Sequence, residues 1–131
     1  MVENNLTSSI PDFKPCQIIC LEHGETCLYA ETIQIVYERQ MCWVRPLLLA
    51  KSVPTTATRE IYDLRQSADL VWPIALFRPA LDTEAIFLLE QLPTLGVNTE
   101  DLQTARQQLR SFLQQVWQAG KLASSDRQSI R

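Results

Sequence analysis

The feature that most constrains this chain is a change of hydrophobic period at Pro79. From Cys16 up to that point, apolar and β-branched residues come in short, alternating runs. Beyond it they recur at spacings of three and four. Alternation sends successive side chains to opposite faces of a strand, whereas the longer spacings gather them on one side of a helix. A chain with its strands first and its helices last has an α+β architecture rather than a βαβ one. The expectation is a five-stranded antiparallel sheet or partly closed barrel followed by two C-terminal helices, with the helices packed on one side of the sheet.

Residues 16–21 are apolar and β-branched, and His23-Gly24-Glu25 supplies a turn. In residues 26–38, Cys27, Tyr29, Ile33, Ile35 and Tyr37 alternate with Thr32, Gln34 and Glu38, the pattern of a half-buried strand. Glu38-Arg39-Gln40 interrupts, and residues 41–49 give a third strand, completing a meander. A Thr/Pro-rich loop is expected over 51–59, with strands at 61–64 and 70–76. Pro73 lacks an N–H, so the last of these should be an edge strand or carry a bulge.

The first helix is predicted over residues 82–92, capped by Asp82 or Thr83, with Ile86, Leu89 and Leu92 inward beside Ala85 and Leu88. Pro93 stops it. The second begins at Asn98 as N-cap, with Glu100 and Asp101 at the positive end of the dipole. Leu102, Ala105, Leu109, Phe112, Leu113, Val116 and Trp117 form its apolar stripe, and Gly120 suits its C-terminal stop. Residues 1–14 read as a loose arm, 15–120 as a single domain and 121–131 as a loose tail.

With 131 residues there is length for one core. A formal net charge of −3 sets up no positive field for nucleic acid. No apolar run reaches the roughly 18 residues that cross a bilayer, and the polar start does not read as a signal peptide. A cytoplasmic location is expected, and there the four cysteines, at 16, 20, 27 and 42, would act as small core hydrophobes carrying free thiols. Cys16, Cys20, His23, Cys27 and Cys42 include the donors of a zinc site, but C-x3-C and C-x6-C are not the usual knuckle spacings. No metal or cofactor is expected. His23 is the single histidine and has no orienting partner in sight, the carboxylates are scattered, and three glycines leave little backbone to cradle phosphate. These absences point away from an enzyme.

The most distinctive feature is a repeated phrase. Trp43-Val44-Arg45-Pro46-Leu47 is echoed by Leu76-Phe77-Arg78-Pro79-Ala80, each where a strand should end. An arginine beside large apolar groups presents a planar fork to a carboxylate, and arginine with aromatics is the composition of interface hot spots. The expected partner site is therefore Trp43, Arg45, Tyr62, Arg65, Trp72 and Arg78. There an extended segment adds to a sheet edge, with Arg45 and Arg78 as anchors. The plainer reading pairs these arginines with Asp63, Asp69 or Asp82 and puts Trp43 and Trp72 in the core. A reading from another class is a small barrel binding single-stranded nucleic acid or a small ligand, with bases stacked on Tyr29, Tyr37 or Trp43. Residues 16–50 offer only Arg39 and Arg45 as cations for it. Open edges also leave room for a homodimer.

At Leu28-Tyr29-Ala30-Glu31, Met41-Cys42-Trp43-Val44-Arg45-Pro46, Tyr62-Asp63-Leu64-Arg65 and Leu76-Phe77-Arg78-Pro79-Ala80-Leu81-Asp82, within residues 16–92, the chain resembles a family of small cyanobacterial proteins of mostly unassigned role. One role associated with such proteins is assisting carboxysome shell assembly by chaperoning the C-terminal tail of a shell protein. The resemblance thus implies a non-catalytic, peptide-binding function. It carries no binding residue over.

Overall fold

In the computed structural model the chain is described over residues 12–53, 58–92 and 99–130, with side chains over 12–52, 59–92 and 101–120. Strands β1 (Ile18–His23), β2 (Thr26–Val36), β3 (Met41–Val53), β4 (Thr58–Asp63), β5 (Leu70–Pro73) and β6 (Arg78–Pro79) precede helices α1 (Asp82–Gln91) and α2 (Thr99–Ile130). The α+β class and the order of strands before helices follow the hydrophobic period. The sheet has six strands rather than five, because Arg78–Pro79 adds a short one beside β1. It stays open, in the order β4-β3-β2-β1-β6 with β5 also on β3, so no barrel closes.

The central strand explains this layout. β3 is 13 residues long and keeps β2 on one side. On the other side its first part, Met41 to Val44, pairs with β5, and its last part, Leu48 to Val53, pairs with β4. Pro46 falls in the gap between those two partners, beside a register shift at Tyr29/Ala30. A residue without an N–H disturbs the ladders least there. Gly24, at φ 59, permits the tight β1–β2 turn, and Gln40, at φ 55, closes the 3-10 turn Tyr37–Arg39 before β3.

Other boundaries move for physical reasons. The β3–β4 ladder continues through Ser52↔Arg59 and Val53↔Thr58, so most of the expected loop is strand. Residues 54–57 lie outside the described part. β5 ends at Pro73, on an edge as expected, and the chain turns into a 3-10 segment over Ile74–Leu76. Phe13, assigned to the loose arm, is buried in the main core. α2 runs through Gly120 to Ile130 instead of stopping, carried by helix-forming Lys, Leu, Ala, Arg and Gln beyond the glycine. Asn98, its expected cap, lies outside the described residues.

The helices do not share one side of the sheet. Ile19, Leu21, Leu28, Ala30, Val44 and Leu49 face Ala105, Leu109, Phe112 and Val116 of α2. The alternate residues Cys20, Tyr29, Leu48 and Ala50 face Leu88 of α1. A strand pattern with apolar residues at both parities requires cover on both faces. The α2 stripe matches its prediction except for Trp117, which is exposed. On α1 the stripe is rotated: Glu84, Leu88 and Leu92, four apart, turn inward with Phe87, while Ile86 and Leu89 are 55% and 72% exposed. Nor do Asp82 or Thr83 cap it. Leu81 occupies the cap position, and Glu84 reaches back to accept its N–H at 2.7 Å.

Candidate functional site

The six residues expected to form a partner site are not brought together. Trp43 and Arg45 share one carboxylate: Trp43 Nε1 donates to Asp69 Oδ2 at 3.0 Å and Arg45 Nε to Asp69 Oδ1 at 3.5 Å. Tyr62 and Trp72 pack against the α2-side core, the face opposite Trp43, and the Tyr62 hydroxyl donates to Glu60. Arg65 grips Asp63 with two nitrogens, at 3.0 and 2.7 Å, and donates to the Leu92 carbonyl at the end of α1. That grip holds the Asp63 carboxyl below its ordinary range. The plainer pairing is therefore the one formed for Arg45 and Arg65. Arg78 pairs too, but with Glu84 and Glu22 rather than Asp82.

Around Glu84 lies a tighter arrangement that sequence reasoning missed. Arg78 donates two parallel hydrogen bonds to its oxygens, at 2.8 and 2.9 Å. The Leu81 N–H and the Tyr29 hydroxyl supply two more, the latter at 2.9 Å. Charge-assisted bonding to Arg78, above all, holds the Glu84 carboxyl down at about 2. Burial, and then the bond to Glu84, push Tyr29 up to about 12.

Beside this network Cys20 and Cys27 are joined in a disulfide, correcting the expectation of four free thiols; Cys16 and Cys42 remain free. β-strand register explains the bond. With Cys20 opposite Tyr29 and Cys27 opposite Glu22, the two cysteines are diagonal neighbours on one face of the β1–β2 hairpin. Their sulfurs and a Glu84 oxygen lie within 4.8 Å of one another, a grouping that resembles three metal ligands. The chemistry does not suit a metal. The sulfurs are spent on each other, and four donors fill the roughly four acceptor positions of the Glu84 carboxylate. The wider zinc set is dispersed: Cys42 is buried on the other face, Cys16 is exposed, and His23 lies edge-on to Phe112 with ring centroids 6.4 Å apart.

A second feature lies on the opposite side of the sheet. The segment after β4 and the middle of α2 enclose a groove of about 610 Å³. Leu70, Leu109 and Leu113 give it an apolar floor, and Arg106 and Arg110, one helical turn apart, stand along it. Neither arginine has an ion-pair partner among the described residues. The i, i+4 spacing in the sequence was the available signal for this pair.

No family model, curated protein or solved structure matches the chain. Among the described residues, no helix is long and apolar enough to cross a membrane.

Proposed function

We propose that this protein is a non-enzymatic adaptor or assembly chaperone that receives an extended, acidic segment of a partner protein. The observation that carries the reading is the contrast between its arginines. Arg45, Arg65 and Arg78 already hold carboxylates of their own chain, whereas Arg106 and Arg110 line an apolar-floored groove with no carboxylate partner among the described residues. Two free guanidinium forks one turn apart suit a carboxylate-bearing peptide, and the leucine floor suits an apolar side chain next to it. The anchor thus moves from the Arg-Pro phrases to α2, while the kind of partner stays the same.

The nucleic-acid reading has less to stand on. The sheet is open and covered by a helix on each face, Tyr29 is buried under α1, and the exposed Tyr37 and Trp43 each sit beside a carboxylate, Asp12 and Asp69, that would repel a phosphate backbone. The proposal places the protein in the cytoplasm, and a carboxysome shell-protein tail, implied by the sequence resemblance, is the first segment to try.

Fluorescence anisotropy with such a tail peptide, and with a Leu/Glu-rich peptide ending in a free carboxylate, tests the reading. Arg106→Ala with Arg110→Ala should weaken binding by about tenfold or more, since each charged hydrogen bond contributes about 1.5–3 kcal/mol. Binding untouched by the double substitution would remove the groove from the account. Capture of single-stranded nucleic acid in preference to either peptide would restore the competing class.

A further inference from the structure

The disulfide on the α1 face joins two sulfurs in unequal surroundings. Cys20 has no exposed surface and is enclosed with Tyr29, Leu48, Ala50 and Leu88. Cys27 is half-buried and lines a cavity of about 190 Å³ bordered by the exposed Gly24 and Glu25 of the β1–β2 turn. Arg59, stacked over the Phe87 ring at 4.9 Å, stands at the same cavity. Glu22 and Glu84 also face it, both held by Arg78, so that with Glu25 three carboxylates stand against Arg59 and Arg78. One carboxylate is in excess, so the cavity mildly disfavours an anionic thiolate, and access rather than charge marks Cys27 as the target.

Thiol–disulfide exchange requires a thiolate to reach one sulfur while the other leaves, so an accessible sulfur and an enclosed one are unequal targets. We infer that Cys20–Cys27 is a thiol-exchange site for a dithiol reductant, with Cys27 as the attacked sulfur and Cys20 as the resolving thiol. One thiolate of the dithiol attacks Cys27 Sγ. The Cys20–Cys27 bond breaks, a mixed disulfide forms on Cys27, and Cys20 leaves as a thiolate that takes up a proton. The second thiolate of the reductant then attacks its own sulfur in the mixed disulfide, and Cys27 is released and protonated. The dithiol loses two electrons and two protons and becomes a disulfide; Cys20 and Cys27 gain them as thiols. In reverse, Cys20 attacks a mixed disulfide on Cys27 and closes the pair. The site is independent of the peptide groove, which lies across the sheet. The element placed to register its state is α1, whose Leu88 packs with Cys20 and whose Glu84 carboxylate lies beside both sulfurs.

The test uses the full chain carrying Cys16→Ser, which removes the exposed thiol outside the pair. The protein is treated with dithiothreitol without denaturant and, separately, with reduced glutathione, then acid-quenched and mapped by mass spectrometry. The expected result is opening of the pair in the folded protein, with the glutathione adduct on Cys27 exceeding that on Cys20 by about tenfold or more. Opening only in denaturant, or an adduct equally on both or mainly on Cys20, overturns the inference. Protein that purifies with free thiols supports it if oxidised dithiothreitol closes the pair, and overturns it if nothing does. The variants Cys20→Ser and Cys27→Ser, titrated with an aromatic disulfide reagent, should show the same disparity between the remaining sulfurs. If they do not fold, mapping on the otherwise unaltered pair decides.

Discussion

The two faces of the sheet are made by alternate residues of the same strands, yet they are held by different forces. Against α2, Ile19, Leu21, Leu28, Val44 and Leu49 form a continuous apolar layer with Leu109, Phe112 and Val116. Burial is the main force there, at about 1.5–3 kcal/mol for each large side chain. Against α1 the helix is only 10 residues long, and Leu88 is its one fully buried side chain among those described. So short a helix is marginal by itself and gains little from burial. It is fixed instead by Arg78 and Tyr29 on Glu84, and by Arg65 on the Leu92 carbonyl, above a covalent bond between β1 and β2. One face follows from hydrophobic periodicity; the other depends on particular bonds between particular residues.

Truncation of each core separates them most sharply. Phe112→Ala should lower unfolding stability by about 3–5 kcal/mol, because the large cavity lies under a long helix that cannot collapse onto it. Leu88→Ala should cost nearer 2–3 kcal/mol, at the low end for a buried leucine, since a short helix can settle into the space. Urea unfolding followed by circular dichroism measures both. A Leu88→Ala cost above that of Phe112→Ala would reverse the ranking of the two faces.

The polar fastening should show itself through pH. In the folded protein the Glu84 carboxyl is held at about 2, against an ordinary 4.5. The unfolded chain therefore takes up this proton first on acidification, so the stabilisation is complete above about pH 4.5 and drains away as pH falls towards 2. Tyr29, raised from 10.0 to about 12, acts at the other end: its contribution is intact below pH 10 and is lost as pH climbs towards 12. Glu84→Gln should cost about 1–2 kcal/mol near neutral pH, since it leaves Arg78 with the more exposed Glu22 alone, and should flatten the acid limb. Phe112→Ala should shift the whole profile down without changing that slope. If Glu84→Gln left the acid limb as steep as before, the α1 face would not be fastened in this way.

These two kinds of cohesion also account for what was legible in the sequence. Periodicity located the strands and the α2 stripe because burial averages over many positions, so one misplaced residue such as Trp117 does no harm. It misjudged α1, where Ile86 and Leu89 looked as apolar as Leu88, because the orientation is set by Glu84 reaching Arg78 across the β6–α1 turn. The Cys20–Cys27 bond was nearly within reach. A two-residue turn at Gly24-Glu25 puts Cys20 and Cys27 diagonally across a hairpin, a relation that pairing register shows and spacing along the chain does not. Arg106 and Arg110 lie on the glutamine- and arginine-rich side of the helix, which by sequence alone reads as a solvated, chemically idle face. Their neighbours Leu70 and Ser67 come from a distant part of the chain, and only folding puts them opposite.

The smallest effect belongs to the pair that looked most conspicuous in the sequence. The Arg45 side chain is 52% exposed and reaches Asp69 at 3.5 Å, while Asp69 also accepts from Trp43. An ion pair this open gains little over hydration and is weakened further by salt. Arg45→Ala should therefore change unfolding stability by less than about 0.5 kcal/mol. It should also leave peptide affinity unchanged where the Arg106/Arg110 double substitution lowers it, since Arg45 already has a carboxylate and the groove arginines have none among the described residues. Equal losses of affinity from the two would mean that a partner displaces Asp69 from Arg45. The Trp43–Arg45 end of β3 would then belong to the binding surface after all. A loss from Arg45→Ala alone would move the site there entirely.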